Sequence, residues 1–294
     1  MNAYLKAFMD KHLEFIDSQL ETQINRIQGP ERLKEAMLYS VKAGGKRVRP
    51  LFLLAVLDFF NKQHDDAYTL GSSIEMIHTY SLIHDDLPSM DNDDYRRGQL
   101  TNHKIYGEAL AILAGDALLT NSFGIIARLK NVSSDMKIDL INRLSLASGA
   151  EGMVGGQVLD MESERKRISV SELETIHENK TGALLSYSIL AGAMLANAQE
   201  NELKALENYA FHIGLAFQIQ DDILDIEGSS EVLGKTAGKD EASFKNTYPA
   251  ILTLEGAKEK RESHYSEAIS SLRLISKEAG VLDELAAYII TRNK

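Results

Sequence analysis

The chain has 294 residues, 43 Asp and Glu against 32 Lys and Arg, a formal charge of −11 and no cysteine. That balance removes any electrostatic reason to bind nucleic acid or an anionic membrane, and the missing thiols exclude a disulfide scaffold, a thiolate-ligated metal and a Cys nucleophile. With 44% apolar and 26% charged residues it reads as a globular protein able to bury a sizeable core, with the cytoplasm as its default compartment.

Met1 to Leu20 mixes Lys, His, Asp and Glu through its apolar residues, which predicts an amphipathic helix and not a signal peptide. The prolines are Pro30, Pro50, Pro88 and Pro249, so residues 89–248 are free of the strongest helix breaker. Ile138, Ile141, Leu144 and Ala147 recur at helical spacing, as do Leu203, Leu206, Ala210, Ile213 and Phe217. Gly44-Gly45, Gly155-Gly156 and Gly228-Ser229-Ser230 are read as breaks between helices. Thr181 to Gln199 carries no charge. A membrane span is one reading of it, but its polar interruptions, two glycines and five alanines favour a close-packed core helix. No alternating run is long enough for a strand, and composition does not shift along the chain. One all-helical domain over residues 1–294, with no membrane insertion, is the expectation.

Two acidic clusters carry the chemistry. The first is Ile83-His84-Asp85-Asp86-Leu87-Pro88-Ser89-Met90-Asp91 and the second Gln220-Asp221-Asp222-Ile223-Leu224-Asp225. Oxygen-only clusters suit a hard cation such as Mg²⁺, which keeps some waters and shares itself with phosphate oxygens. Paired Asp for general acid–base work is the competing use, but it does not explain why each cluster holds three. On a helical wheel measured from Phe217, Asp221 lies about 40° away, Asp225 about 80°, Gln218 about 100° and Asp222 about 140°, so the carboxylates border the buried face. That position is costly unless a cation neutralises them. His78 stands seven residues before Asp85, on nearly the same helical face, and Pro88 predicts that Asp91 folds back from a turn. His64-Asp65-Asp66, in a polar setting and with no third Asp, is read as a loop.

An acidic chain that binds anions must gather its cations locally. Gly44-Gly45-Lys46-Arg47-Val48-Arg49-Pro50 packs three cations into four positions, and the run Asp91 to Asp94 is followed at once by Arg96-Arg97-Gly98. This is not a phosphate loop of the Gly-Lys-Ser/Thr kind. Beside the Asp clusters it suggests two anion sites, one organised by metal and one by basic side chains.

In this order the motifs resemble those of the short-chain trans-isoprenyl (polyprenyl) diphosphate synthases, most closely bacterial farnesyl diphosphate synthases. The set continues through Gly156-Gln157 with Asp160, Lys180-Thr181-Gly182, Phe217-Gln218-Ile219-Gln220, Leu233-Gly234-Lys235 and Lys245-Asn246-Thr247-Tyr248-Pro249 to a basic C-terminus. The resemblance implies the all-α isoprenoid synthase fold, antiparallel helices around a deep central cavity, and a homodimer. It implies Mg²⁺ held by Asp85, Asp86, Asp91, Asp221 and Asp225 across the cavity mouth. Arg96, Lys180 and Lys235 would then complete the shell of an allylic diphosphate, dimethylallyl or geranyl, with Lys245 also in the substrate set. Isopentenyl diphosphate would bind without metal at Gly45, Lys46, Arg49, His78 and Arg97, under the C-terminus. Thr181, Gln218 and the Lys180 carbonyl would face the allylic cation.

Tyr80 and Ser81 stand where bulky residues of the family form the cavity floor. The resemblance makes them the chain-length residues, and the four residues between Asp86 and Asp91 favour a C15 product. A geranylgeranyl diphosphate synthase of the same family is the alternative. A terpene cyclase needs no basic isopentenyl site, and a helical binding module does not explain two intact Asp clusters.

Overall fold

The structure is a computed structural model that describes residues 2–227, 246–275 and 280–292. Its helices are α1 (Ala3–Asn25), α2 (Glu31–Lys42), α3 (Val48–Phe59), α4 (Ala67–Asp85), α5 (Asn102–Tyr106), α6 (Glu108–Ala127) and α7 (Ser134–Ser148). They continue with α8 (Met153–Ser163), α9 (Val170–His177), a π-turn (Glu178–Gly182), α10 (Ala183–Leu195), α11 (Glu200–Glu227), α12 (Tyr248–Leu252), α13 (Leu254–Leu272) and α14 (Gly280–Thr291). Among the described residues the only paired strands are β1 (Tyr95–Arg96) and β2 (Gln99–Leu100), a two-residue antiparallel hairpin. The all-α expectation therefore holds, and the hairpin is too short for any alternating pattern to announce it.

The chain divides into two compact units, one of residues Ala7–Leu51 with His64–Ile141 and one of Met1–Lys6, Phe52–Gln63 and Asn142–Lys294. The first is built on α4, which is buried along nearly its whole length and packs on α6. Close approach is made by omission of side chains. A Cβ on Gly71 would stand 3.0 Å from the Pro50 ring, and one on Gly115 would overlap the His84 imidazole, whose Nε2 lies 3.1 Å from the Ile112 carbonyl. The second unit is built on α11 against α13 and α10. There Tyr209 is fully buried, its hydroxyl donating to the Leu282 carbonyl at 3.0 Å, and a Cβ on Gly192 would stand 2.6 Å from the Leu53 carbonyl oxygen.

Local signals set several boundaries. Ser169 and Glu172 form a capping box at the start of α9, and Thr247 caps α12 ahead of Pro249. Two expectations need correction. Gly155 and Gly156 do not separate helices but lie inside α8, where the lack of side chains serves packing. In α7 the buried residues are Leu140, Leu144 and Ser148, whereas Ile138 is 66% exposed, so the stripe is rotated from the one read in the sequence.

The uncharged 181–199 segment forms the 13-residue α10, buried over most of its length, and is too short to cross a bilayer. By length and composition α6 is apolar enough to do so; Ala111, Ala114, Gly115, Leu118, Ile125 and Ile126 are buried within its own unit, while Ile112 and Leu113 are exposed.

Candidate active site

The first carboxylate cluster is made by the end of α4. Asp85 is its last residue and Asp86 its C-cap, and Pro88 turns the chain. The turn closes through backbone bonds: Asp91 N–H to the Asp85 carbonyl at 2.9 Å, Asn92 N–H to Leu87 at 3.1 Å and Asp93 N–H to Asp86 at 3.2 Å. Asp91 is thus carried back beside Asp85. Asp86 is used differently. It is 3% exposed, and Arg96 on the hairpin grips it with Nε at 2.8 and 2.9 Å from its two oxygens and Nη2 at 2.6 Å. Burial raises the Asp86 pKa although the Arg96 fork opposes it. Asp66, from the cluster read as a loop, is buried and accepts the Lys130 and Asn131 N–H groups at 3.0 and 2.6 Å.

The basic group belongs to the same unit. Gly44 and Gly45 have φ of 83° and 140°, values that favour glycine. Arg97 donates to the Gly44 carbonyl, and a Cβ on Gly45 would stand 2.7 Å from its Nη1. Lys46 and Arg49 are half-buried, while Arg47 is turned inward, so only two of the three cations of that run flank Gly45. Burial, then Arg49, Arg97, Arg96 and Arg47, hold the His78 imidazole far below its ordinary pKa, so it stands neutral among guanidiniums. The Arg97 pKa is lowered by burial and by Arg47, Arg96 and Arg49, against the pull of Glu75. Crowded cations of this sort are relieved by an anion. Tyr80, one turn from Asp85, is 6% exposed and meets the His84 ring edge-on at 5.7 Å, while the Ser81 hydroxyl donates to the His78 carbonyl at 2.9 Å.

The second carboxylate cluster lies on α11 in the other unit. Asp222 and Asp225 are each 4% exposed, and the Asp221 side chain is 41% exposed. The wheel's order of depth is therefore corrected. Phe217 was its reference but is only half-buried, and Asp222, the residue placed farthest round, is buried. Tyr248 N–H donates to Asp222 Oδ2 at 3.0 Å and Gln218 Nε2 to its Oδ1 at 3.3 Å. The Thr181 hydroxyl donates to Gln218 Oε1 at 3.0 Å, so two residues predicted to face the allylic cation are linked to the cluster. Lys180 and Thr181 lie in the π-turn, a form that leaves carbonyls outside the regular ladder. Lys180 Nζ is 2.6 Å from Asp160 Oδ2. Lys235 and Lys245 lie outside the described residues.

The donor set fits Mg²⁺. Every carboxylate candidate is a hard oxygen donor, and Asp85 and Asp91 are held together by backbone. Among the described residues no three His, Asp or Glu side chains close into a metal cage. A cavity of about 760 Å³ bounded by Arg26, Asp65, Arg128 and Lys130 holds none of these residues.

Sequence reading gave Arg292 a place only in the basic C-terminus expected to close the isopentenyl diphosphate site, and assigned no role to Tyr248 or His177. Arg292 is 5% exposed and donates Nη2 to Asp221 Oδ1 at 2.7 Å. His177 stacks on Tyr248 at 5.5 Å, and its Nε2 is 3.8 Å from Asp222 Oδ2. The run Lys245 to Pro249 marked the Tyr248 contact, but nothing in the sequence singled out His177.

The fold is the all-helical isoprenoid synthase fold, shared with solved structures at 33–38% identity. The chain belongs to the polyprenyl synthetase family, whose profile matches residues 30–284. It is 48% identical to the farnesyl diphosphate synthase of Bacillus subtilis (strain 168) over the full length of both chains. It is similar to the crystal structure of an FPP/GFPP synthase from Zymomonas mobilis, at 37% identity and TM-score 0.87, covering 99% of this chain and 100% of that one. A geranyltransferase from Helicobacter pylori, complexed with magnesium and isoprenyl diphosphate, is 33% identical with TM-score 0.82, covering 99% of this chain and 97% of that one.

Proposed function

We propose that the protein is a Mg²⁺-dependent prenyltransferase that condenses isopentenyl diphosphate head-to-tail with dimethylallyl and then geranyl diphosphate to give farnesyl diphosphate. One observation carries this reading. The unit that holds Asp85 and Asp91 also holds Lys46 and gathers Arg49 and Arg97 near a neutral His78, a metal-type and a basic-type anion site together. Relatives named farnesyl diphosphate synthase over the whole chain length support the C15 product.

In the reaction the allylic C–O bond breaks and its electron pair leaves with diphosphate. Arg96 and Lys180 stabilise the charge that develops there. Bound Mg²⁺, with Asp85 and Asp91 and with Asp221 and Asp225 as its ligands, would add Lewis-acid stabilisation of the same leaving group. The Thr181 hydroxyl oxygen, Gln218 Oε1 and the Lys180 carbonyl turn dipoles, and no strong nucleophile, toward the carbocation. The double bond of isopentenyl diphosphate, held at Lys46, Arg49, His78 and Arg97, supplies the electron pair of the new C–C bond. A proton then leaves the adjacent carbon for the departing diphosphate, which restores a double bond. His78, neutral and crowded by guanidiniums, donates a hydrogen bond without adding charge.

The reading also takes residues 1–294 as one catalytic domain that acts as a homodimer in the cytoplasm. Incubation with isopentenyl diphosphate, either allylic primer and saturating Mg²⁺ should yield a C15 diphosphate on product chromatography. No condensation with either primer would sink the proposal; a C20 product would assign the chain to geranylgeranyl diphosphate synthesis.

A further inference from the structure

Arg47 lies between Lys46 and Arg49 in sequence but not in role. Its side chain is 2% exposed, and its backbone stands at φ 49°, a left-handed conformation strained for a residue with a Cβ. Such a conformation persists only where the surroundings over-determine it. Here three helices do so through one guanidinium. Nε donates to Asp17 Oδ1 on α1 at 2.7 Å, Nη1 to Glu75 Oε1 on α4 at 3.0 Å, and Nη2 to the Val41 carbonyl at the end of α2 at 2.6 Å. The planar fork of Arg meets all three acceptors; a lysine ammonium cannot.

Charge follows the same plan. Burial opposes ionisation of Arg47, but Glu75 and Asp17 outweigh it and raise its pKa. Two carboxylates for one guanidinium leave surplus negative charge below the loop. Glu75 is 2% exposed, and its Oε2 has no hydrogen-bond partner among the described residues. Arg97, on the substrate side of the loop, feels Glu75 as its counter-charge against the repulsion of Arg47, Arg96 and Arg49.

We infer that Arg47 and Glu75 are positioning residues of the basic anion site. They hold the Gly44–Arg47 backbone in the one shape that presents Lys46 and Arg49, and they supply the buried charge against which Arg97 is gathered. Neither touches substrate. The inference rests on the proposed function, in which that site takes isopentenyl diphosphate.

Removal of Arg47 alone would leave Glu75 buried without its partner, so the informative variant replaces both, Arg47→Met with Glu75→Met, a swap of similar volume that strands no charge. Asp17 is 49% exposed and keeps its water. The double variant is expected to give native circular dichroism and a cooperative melt. Its KM for isopentenyl diphosphate should rise about 10- to 100-fold, the cost of misplacing a binding group by about 1 Å, with the KM for geranyl diphosphate within about threefold of wild type. Arg47→Lys, which keeps a charge on Glu75 but loses the fork, should shift the same constant by less. An unchanged KM for isopentenyl diphosphate in both variants overturns the inference, and so does an equal rise for both substrates, which would make Arg47 a packing residue only. Calorimetric titration of isopentenyl diphosphate without Mg²⁺ separates this inference from the reading beneath it. If wild type neither binds nor condenses, the functional reading fails; if wild type and variants bind equally, the positioning role fails.

Discussion

Arg292 donates Nη2 to Asp221 Oδ1 at 2.7 Å, so the last described helix closes on a proposed metal ligand. The guanidinium also donates to the Phe217 carbonyl at 3.1 Å and lies 4.0 Å over the Phe217 ring, and the Arg292 carbonyl accepts from Gln220 Nε2 at 3.0 Å. Arg292→Ala should cost about 1.5–3 kcal/mol for the lost charge-assisted bond, seen as a melting point several degrees lower. It also removes a cation beside Asp221. The Mg²⁺ concentration for half-maximal activity should therefore fall, and a rise would show that Arg292 helps metal binding by orienting the carboxylate.

Asp85 and Asp86 are adjacent and should fail in different ways. Both oxygens of Asp86 are engaged by Arg96, whereas Asp85 is joined by backbone to the turn that returns Asp91. Asp85→Ala and Asp91→Ala should each lower kcat by about 10²–10³, since charge stabilisation of the leaving group is lost. Asp86→Asn should instead lower stability by about 1.5–3 kcal/mol, because the Arg96 fork loses its ionic partner. A melt of Asp86→Asn that matches wild type, with the same activity loss as Asp85→Ala, would place Asp86 among the metal ligands.

Stability should fall with acid in a defined window. Burial, opposed by Asp160 and reinforced by Lys180, lowers the His177 pKa to about 4. An unfolded histidine takes its proton near pH 6.5, while the folded one stays neutral to about 4, so the unfolded state binds more protons between those values. The stabilisation is complete above about pH 6.5 and is lost as pH falls, at up to about 1.4 kcal/mol per pH unit. His177→Gln should flatten the urea-melt profile between pH 6.5 and 4.5 relative to wild type. Equal slopes in the two proteins would remove His177 as the origin.

How much of this was legible depended on whether one residue type had one local meaning. Pro88 after two aspartates has such a meaning, and the returned Asp91 follows from it. Arg47 does not: in a run of cations nothing local tells the buried member from its neighbours, since the acceptors on Asp17 and Glu75 are brought by other helices. Asp222 was misplaced for the same reason, because its depth is decided by Tyr248, 26 residues away. The π-turn has no period to read, and Gly155-Gly156 looked like a break because glycine in helix interiors usually is one.

Product length should respond to Tyr80. The ring is buried beside His84, and both burial and Asp85 push its hydroxyl pKa up to about 12, so it remains a neutral, bulky wall at neutral pH. Tyr80→Ala should lengthen the product from C15 to C20 or beyond on chromatography of the dephosphorylated alcohols. The truncation of a buried aromatic should also cost about 3–5 kcal/mol, so the assay belongs well below the lowered melting point. An unchanged C15 product in the folded variant would end the chain-length role of Tyr80.

Gly156 tests the π-turn itself. It lies inside α8 at the point where that helix meets Glu178–Gly182, and a Cβ there would overlap the Lys180 backbone nitrogen and stand 2.8 Å from the Asn179 carbonyl carbon. Backbone on both sides leaves no flexible side chain to give way, so Gly156→Ala must shift one segment. The gain of alanine over glycine in a helix, about 1 kcal/mol, is set against about 1–3 kcal/mol of overpacking. With backbone as the obstacle the overpacking lies at the upper end of that range, so the variant is destabilised by about 2 kcal/mol or more, and the shift falls on Lys180 and Thr181, which are proposed to meet the leaving group and the carbocation. The variant should melt several degrees below wild type and, assayed well below that melting point, lose about 10²-fold in kcat, as expected for a misplacement of about 1 Å. Gly155→Ala, where the overlap is with the Ala150 carbonyl and not with the π-turn, is the control. If both substitutions lower kcat alike, the loss comes from α8 as a whole and not from the position of Lys180.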